Sequence, residues 1–460
     1  MPKSHRFVFL LQAAVVALLP LIVACSAVAD PAAKAQSEQQ QEEQREADLH
    51  AGLMSEHFAR VLERQALRTD ADAELLRLQL GPVESPPGCE QQRVTPGLGL
   101  ISPAKTDDPA AERAVQDCQM ALMLWRDERA SAVLEAPGLE PRHLFAVLAR
   151  PGTDSALEFA LLDRLYSLDP QNPAVLGRQL KDPRWTPTAA ELDARLFELA
   201  EAAQPFRSYL NEHGQQLLQA TLSVAPSPGL LEAQKAAFRR RPNDPLADLL
   251  LPYEPEPSQL ARHAAAIPAI GLYLAAVPLS EAGALVAACD PRRVERISTS
   301  RLQACRQIGQ RMAEQPESMI DQRIGARIWQ RALNALGEDE QPAIEAQRLS
   351  YWQMEQYGVY EFATIDEARS MDQKIESMLR GESELDYIRS LVESAGGQVS
   401  PPPGWAPDVP RWDDPYRYPG SWVWRVGSAS AGAVRLAAVG SRESRHPLEL
   451  GAGLRRRLCL

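Results

Sequence analysis

The chain has 460 residues, 45% of them hydrophobic, which is enough to bury one large core or two. Its formal charge is −12. That balance speaks against nucleic acid as a partner, because phosphate binding needs clustered basic residues. It speaks equally against adsorption to anionic headgroups.

Residues 1–24 have the parts of an export signal. Lys3, His5 and Arg6 form a basic start, Phe7 to Val23 is apolar apart from Gln12 and Pro20, and small residues follow. The apolar run is near the lower limit for a membrane span, about 20 residues. A retained anchor is one reading of it, although no basic stop-transfer cluster follows. Two cleavage readings stand beside that one. Ala27-Val28-Ala29 fits cleavage after Ala29, which would release a soluble chain beginning at Asp30. Ile22-Val23-Ala24-Cys25 resembles the lipobox of bacterial lipoproteins. The resemblance implies that Cys25 becomes the lipidated N-terminus, since only a thiol makes the thioether link. It also implies, from Ser26 rather than aspartate, transport to the outer membrane facing the periplasm. Three acyl chains at about 0.8 kcal/mol per buried methylene would make release negligible. Loss of residues 1–24 removes Lys3 and Arg6 and no acid, so the net charge becomes more negative by two.

Residues 25–46 are polar and low in complexity, and we read them as a tether. Leu53, Met54, Phe58, Val61 and Leu62 then fall at helical spacing, and a second helix is predicted over Asp72–Leu80. Residues 81–108 are rich in proline and glycine and are expected to form a long loop. From Pro109 to about Gly396 nearly every segment reads as helix. Examples are Ala111–Asp127, Asp154–Leu168, Ala189–Ala203, Ser208–Val224, Leu230–Arg240, Glu317–Leu336, Gln341–Tyr357, Ile365–Leu379 and Glu384–Ser394. Breakers and caps separate them: Asp169-Pro170, Thr186-Pro187, Asn243-Asp244-Pro245, Gly337 and Gly381-Glu382-Ser383. No run alternates with period two over the length of a strand.

The expectation for 47–396 is therefore all-α, an array of antiparallel helical hairpins arranged as an α-solenoid or a helical-repeat bundle. The turns SLDPQNPAV (167–175) and RRRPNDPLA (239–247) share a helix end, a proline, an asparagine and a second proline. They resemble the inter-repeat turn of tetratricopeptide-type proteins. Ala237 fits that family's small-residue position before the turn, whereas Leu165 stands at the equivalent place in the first copy.

Six cysteines are present: Cys25, Cys89, Cys118, Cys289, Cys305 and Cys459. In an exported chain, with Cys25 set aside, the natural pairing is Cys89–Cys118 and Cys289–Cys305. The other reading is a set of unrelated buried thiols. The second pair makes a geometric demand. One straight helix from Asp290 to Met312 would carry Cys305 roughly 20 Å from its start, and a disulfide needs Cα atoms within about 7 Å. The helix must then break, and Ser298-Thr299-Ser300 offers hydroxyl caps for a restart.

Residues 397–460 change character. The stretch from Ser400 to Arg425 is dense in proline, which forbids helix and regular sheet, and holds Trp405, Trp412, Trp422 and Trp424 beside Tyr416 and Tyr418. These aromatics could stack on sugar rings or grip another protein, or pack back onto the helical body as a clasp. The last 36 residues are rich in arginine, with disorder as one reading, and Cys459 is the odd thiol.

Chemical motifs are few. His50 and His57 stand seven apart, too far for one zinc ion without a third element, and surface histidines are the default reading. GSASAG (427–432) departs from a nucleophile elbow and follows no strand. Asp413-Asp414 and Glu338-Asp339-Glu340 read as solvated loop acids. No residue is singled out as catalytic, cofactor-binding or metal-ligating. The expected role is a scaffold or adaptor that binds another protein beside the membrane. An envelope enzyme acting on cell-wall glycan or peptide is the alternative.

Overall fold

The computed structural model describes residues 31–82, 86, 89, 94–95, 100–101, 109–149, 154–239, 256–275, 281–292, 297–362, 367–394, 396–406, 425–426 and 436–437. Among them the architecture is all-α. The helices are α1 (Pro31–Arg64), α2 (Ala71–Leu80), α3 (Pro109–Glu135), α4 (Pro141–Leu148), α5 (Ser155–Leu168), α6 (Pro173–Gln179), α7 (Ala189–Ala202) and α8 (Leu210–Leu222). They continue as α9 (Pro228–Arg239), α10 (Pro257–Ala275), α11 (Glu281–Ala288), α12 (Thr299–Glu314), α13 (Met319–Leu336), α14 (Gln341–Phe362), α15 (Glu367–Leu379) and α16 (Glu384–Ser394). Among the described residues, extended structure is confined to two ladders of two-residue strands, Val94–Thr95 with Leu100–Ile101 and Arg425–Val426 with Leu436–Ala437. No helix among the described residues is long and apolar enough to cross a membrane.

Side chains fix the helix starts. Thr188 and Glu191 form a reciprocal capping box at α7, with Thr188 N donating to Glu191 Oε2 at 2.7 Å and Glu191 N to Thr188 Oγ1 at 3.3 Å. Ser383 and Asp386 do the same for α16. Gly337 closes α13 with φ 71°, a left-handed conformation that glycine adopts without penalty. The geometric demand of the second cysteine pair is met at the expected place. α11 ends at Ala288, and α12 starts at Thr299 with the Ser298 side chain accepting from Arg301 N. One difference from the sequence reading is that α1 begins at Pro31, so most of the presumed tether is helical. Alanine, glutamine and glutamate are strong helix formers, and a helix satisfies its own backbone without a packed face.

Consecutive helices α12, α13 and α14 run antiparallel. Gly309 abuts Ile328 and Trp329, while Gly325 abuts Met312 and Ala313. Further on, Gln347 donates to Gln330 at 2.7 Å and Arg323 reaches Tyr351 at 3.1 Å. Other neighbours are distant in sequence. α7 lies parallel to α12: Arg301 donates to Ala189 O at 3.0 Å and Arg311 to Ala200 O at 2.7 Å. α6 packs on α11, and α8 on both α10 and α15. The main core joins α2 to α7 with α11, α12 and α13 through Leu144, Leu161, Leu165, Leu196, Leu199 and Ile308. A second core joins α1, α2, α8, α10 and α15 through Phe58, Leu76, Leu217, Leu218, Ile270 and Ile375.

Candidate functional site

The densest unusual chemistry surrounds the loop 203–209 between α7 and α8. Its two ends, Ala203 (φ 54°) and Tyr209 (φ 58°), are the non-glycine residues with left-handed backbone among those described. That conformation costs an L-residue about 1–2 kcal/mol, so neighbouring groups must hold it. Two sets do so at successive residues, Arg207 and Ser208.

The first centres on Asn172, which is fully buried and caps α6. Its Oδ1 accepts from Ala174 N at 2.9 Å and from Arg207 N at 3.1 Å. Its Nδ2 donates to Arg207 O and to Asp169 Oδ2, each at 2.8 Å. Tyr209 Oη donates to the same Asp169 oxygen at 2.7 Å. Burial and the neighbouring Asp169 carboxylate push the Tyr209 phenol well above its ordinary range.

The second centres on Glu317, in the turn between α12 and α13. Its Oε2 accepts from Ser208 N at 2.8 Å and Ser208 Oγ at 2.7 Å. The next residue, Ser318, caps α13 by accepting from Asp321 N at 3.2 Å, and its hydroxyl donates to Asp321 Oδ2 at 2.7 Å. The N-terminus of α16 closes the junction: Glu384 N donates to Glu317 O at 3.3 Å, and Glu384 Oε2 accepts from Met319 N at 2.9 Å. Desolvation pushes the Glu317 carboxyl up to about 7. The charges of Glu212 and Asp321 act in the same direction, against the two Ser208 donors. A carboxyl that titrates near neutrality can take up or release a proton there, the property expected of a functional acid.

The histidines overturn their sequence reading. His50, His57, His143, His213 and His263 are all buried rather than exposed. The physical reason is that a neutral imidazole is a flat, largely apolar ring that needs only one or two partners. His143 Nδ1 accepts from Glu140 N at 2.9 Å, which leaves Nε2–H to donate to Asp72 Oδ1 at 2.7 Å. His263 Nε2 meets Asp372 Oδ1 at 2.8 Å, and His213 pairs with Gln79. Burial pushes His50 and His57 below their ordinary value. Among the described residues, no three or more His, Cys, Asp or Glu side chains come together as a metal cluster.

Both cysteine pairs are bonded, Cys89–Cys118 with Cα atoms 4.6 Å apart and Cys289–Cys305 at 5.7 Å. Trp405 packs back on the body. Its ring meets the edge of Trp352 at 5.1 Å, while Arg348 donates to Pro402 O and Trp405 O, and Trp352 Nε1 donates to Gln398 O. Cys25, Trp412, Trp422, Trp424, Asp413-Asp414, GSASAG and Cys459 lie outside the described residues, as does all but the first residue of the second proline-rich turn, while the short strand Arg425–Val426 precedes GSASAG, against its sequence reading. The acids of Glu338-Asp339-Glu340 work in the α13–α14 turn. Glu338 pairs with Arg306 at 2.7 Å, Asp339 accepts from Gln341 N at 3.0 Å and Glu340 from Gln330 at 3.0 Å.

Two features went unread in the sequence. Glu317 was visible only as the start of a helix, although it directly precedes a Ser-x-x-Asp cap. The other is a stripe on α3 where Met120 (57% exposed), Met123 and Leu124 (66%) face solvent at i, i+3 and i+4, one turn beyond Cys118. Comparison with known proteins finds no matching family model, no matching curated protein and no matching solved structure.

Proposed function

We propose that this chain is an exported protein lipidated at Cys25 and held at the periplasmic face of the outer membrane, where its helical body is a scaffold for another protein. The observation that carries the scaffold reading is the solvent-facing apolar stripe Met120–Met123–Leu124 on a helix stapled by Cys89–Cys118. A rigid helix with anchors at i, i+3 and i+4 suits helix-in-groove recognition. The two disulfides favour an oxidising compartment. The antiparallel run α12–α13–α14 supports the hairpin-array reading, and the parallel α7–α12 contact favours its bundled form over an open solenoid.

The test has two arms. The mass of the mature N-terminus and membrane fractionation of Cys25→Ser check the anchor; unmodified Asp30 as the first residue would defeat it. Crosslinking in the membrane fraction, with and without Met120→Lys/Leu124→Lys, checks the surface. Loss of a discrete crosslinked species in the double variant is the expected result, and an unchanged pattern would remove the stripe from the account. A cell-wall enzyme is the second reading, favoured by the near-neutral carboxyl of Glu317. It ranks lower because Oε2 of that carboxyl is already engaged by Ser208. Turnover of purified cell-wall material that disappears in Glu317→Gln would reverse the ranking.

A further inference from the structure

We propose that the Glu317 junction is a pH-operated clasp that holds the α7–α8 loop closed in mildly acidic surroundings and lets its Ser208 side go as the pH rises through neutrality. The loop has the form of a restrained hinge, with left-handed residues at both ends, Ala203 and Tyr209. Its two anchors differ in kind. Asn172 is a neutral amide, fully buried, and grips both backbone groups of Arg207. Glu317 is a carboxyl that takes both Ser208 donors on one oxygen and lies 109 residues away in sequence. It is the titrating half of the pair.

The charges that bear on it are negative: Glu212 from the first turn of α8 and Asp321 from the first turn of α13. Glu384 of α16 accepts from Met319 N, two residues along the chain. Arg207 is the loop's one cation, and His213 of α8 is engaged by Gln79. Glu212 Oε2 is itself enclosed without a hydrogen-bond partner. An ionised Glu317 therefore bears a desolvation penalty and the repulsion of two like charges, which the protonated form escapes.

The sign follows. In the closed loop the carboxyl holds its proton up to about 7, and once released to water it returns to the ordinary 4.5. Closure is thus favoured below 4.5 and loses ground as the pH rises to 7, after which the balance flattens. By proton linkage the ratio of open to closed loop should rise about tenfold between pH 6 and pH 8.

Hydrogen–deuterium exchange on the full chain, corrected for the intrinsic pH dependence of amide exchange, reads this directly. Protection across 204–212 should fall about tenfold from pH 6 to 8, while residues 173–176, below the Asn172 anchor, should not follow. Glu317→Gln keeps an acceptor oxygen but cannot ionise and should abolish the fall. Glu212→Gln, which leaves both anchors in place, should shift the transition to lower pH. An unchanged fall in Glu317→Gln, or a flat wild-type profile, would overturn the clasp. Should Glu317→Gln fail to fold, an unshifted transition in Glu212→Gln would do so.

Discussion

Helices α12 and α13 meet through glycines, while α1, α8, α10 and α15 enclose a core threaded with imidazoles. In the first region a methyl placed at Gly309 would lie 2.6 Å from the backbone nitrogen of Trp329, and one at Gly325 would lie 2.6 Å from that of Ala313. The helices are in backbone contact, and a buried ion pair, Asp290–Arg331 at 2.8 Å, ties the turn after Cys289 to α13. In the second region His57 of α1 and His263 of α10 are fully buried, on helices that share the core of Phe58, Leu217, Leu218 and Ile270, with Asp372 beside His263. The first is therefore sensitive to volume and the second to protonation. They also answer pH in opposite directions. Glu317, at the turn joining α12 to α13, loses its contribution as pH rises. His50 and His57, with depressed values, contribute above the ordinary 6.5 and lose that contribution as pH falls below it.

The largest way to break the first region is to remove its charge pairing. Asp290→Ala takes away the carboxylate that faces Arg331, a residue only 11% exposed. Loss of one partner by a charged, hydrogen-bonded group costs about 1.5–3 kcal/mol, and urea unfolding should read a loss near the upper end. A neutral result would mean that water or the other contacts of Arg331 make up for the carboxylate. Next comes volume. Gly325→Ala should cost about 2–3 kcal/mol, since the added methyl meets backbone rather than a flexible side chain. An alanine in open helix would instead gain up to about 1 kcal/mol over glycine, so even the sign of the change tests the closeness of the pair.

These two regions were not equally legible in the sequence. Helix positions followed from caps and breakers: Ser298, Gly337 and Ser383 mark real boundaries because each satisfies a backbone group locally. The break before α12 followed from chain geometry once Cys289 and Cys305 were paired. The glycine contact did not follow, because helical glycine costs the same whether its bare face meets solvent or another backbone. Nor did the burial of His57 and His263, because Asp372 stands 109 positions from its histidine. Glu317 was hidden for the same reason: its partner Ser208 belongs to another loop, and one sequence carries no trace of the meeting. The parallel docking of α7 on α12 is equally long-range, which is why local pattern located helices and carried no sign of that contact.

The second region can be sharpened by cutting its best pair. Asp372→Ala removes the carboxylate from His263 Nε2, and from Gln259 Nε2, which donates to the other oxygen at 2.7 Å. Loss of a partner for a buried group costs about 1–3 kcal/mol. A calorimetric scan at pH 7.5 should show a lowered Tm, and a shift no larger than that of a surface substitution would mean the imidazole had found another acceptor.

The smallest expected effect is the most discriminating. The His57 ring makes at best a weak contact with the Thr221 backbone, and burial together with the Arg60 charge lowers its affinity for a proton against that contact. His57→Leu fills a similar volume and removes two polar atoms from an apolar setting, so at pH 7.5 stability should change by less than about 1 kcal/mol, in either direction. The difference should appear on acidification. The wild type must charge a buried imidazole or unfold as pH falls below 6.5, whereas the leucine variant is relieved of that penalty. Its stability should therefore decline less steeply between pH 6.5 and 5. Parallel declines would assign the acid sensitivity to His50, or to the carboxylates paired with arginine, instead of to His57. A substantial loss in the variant already at pH 7.5 would show that the ring is held by more than its apolar neighbours.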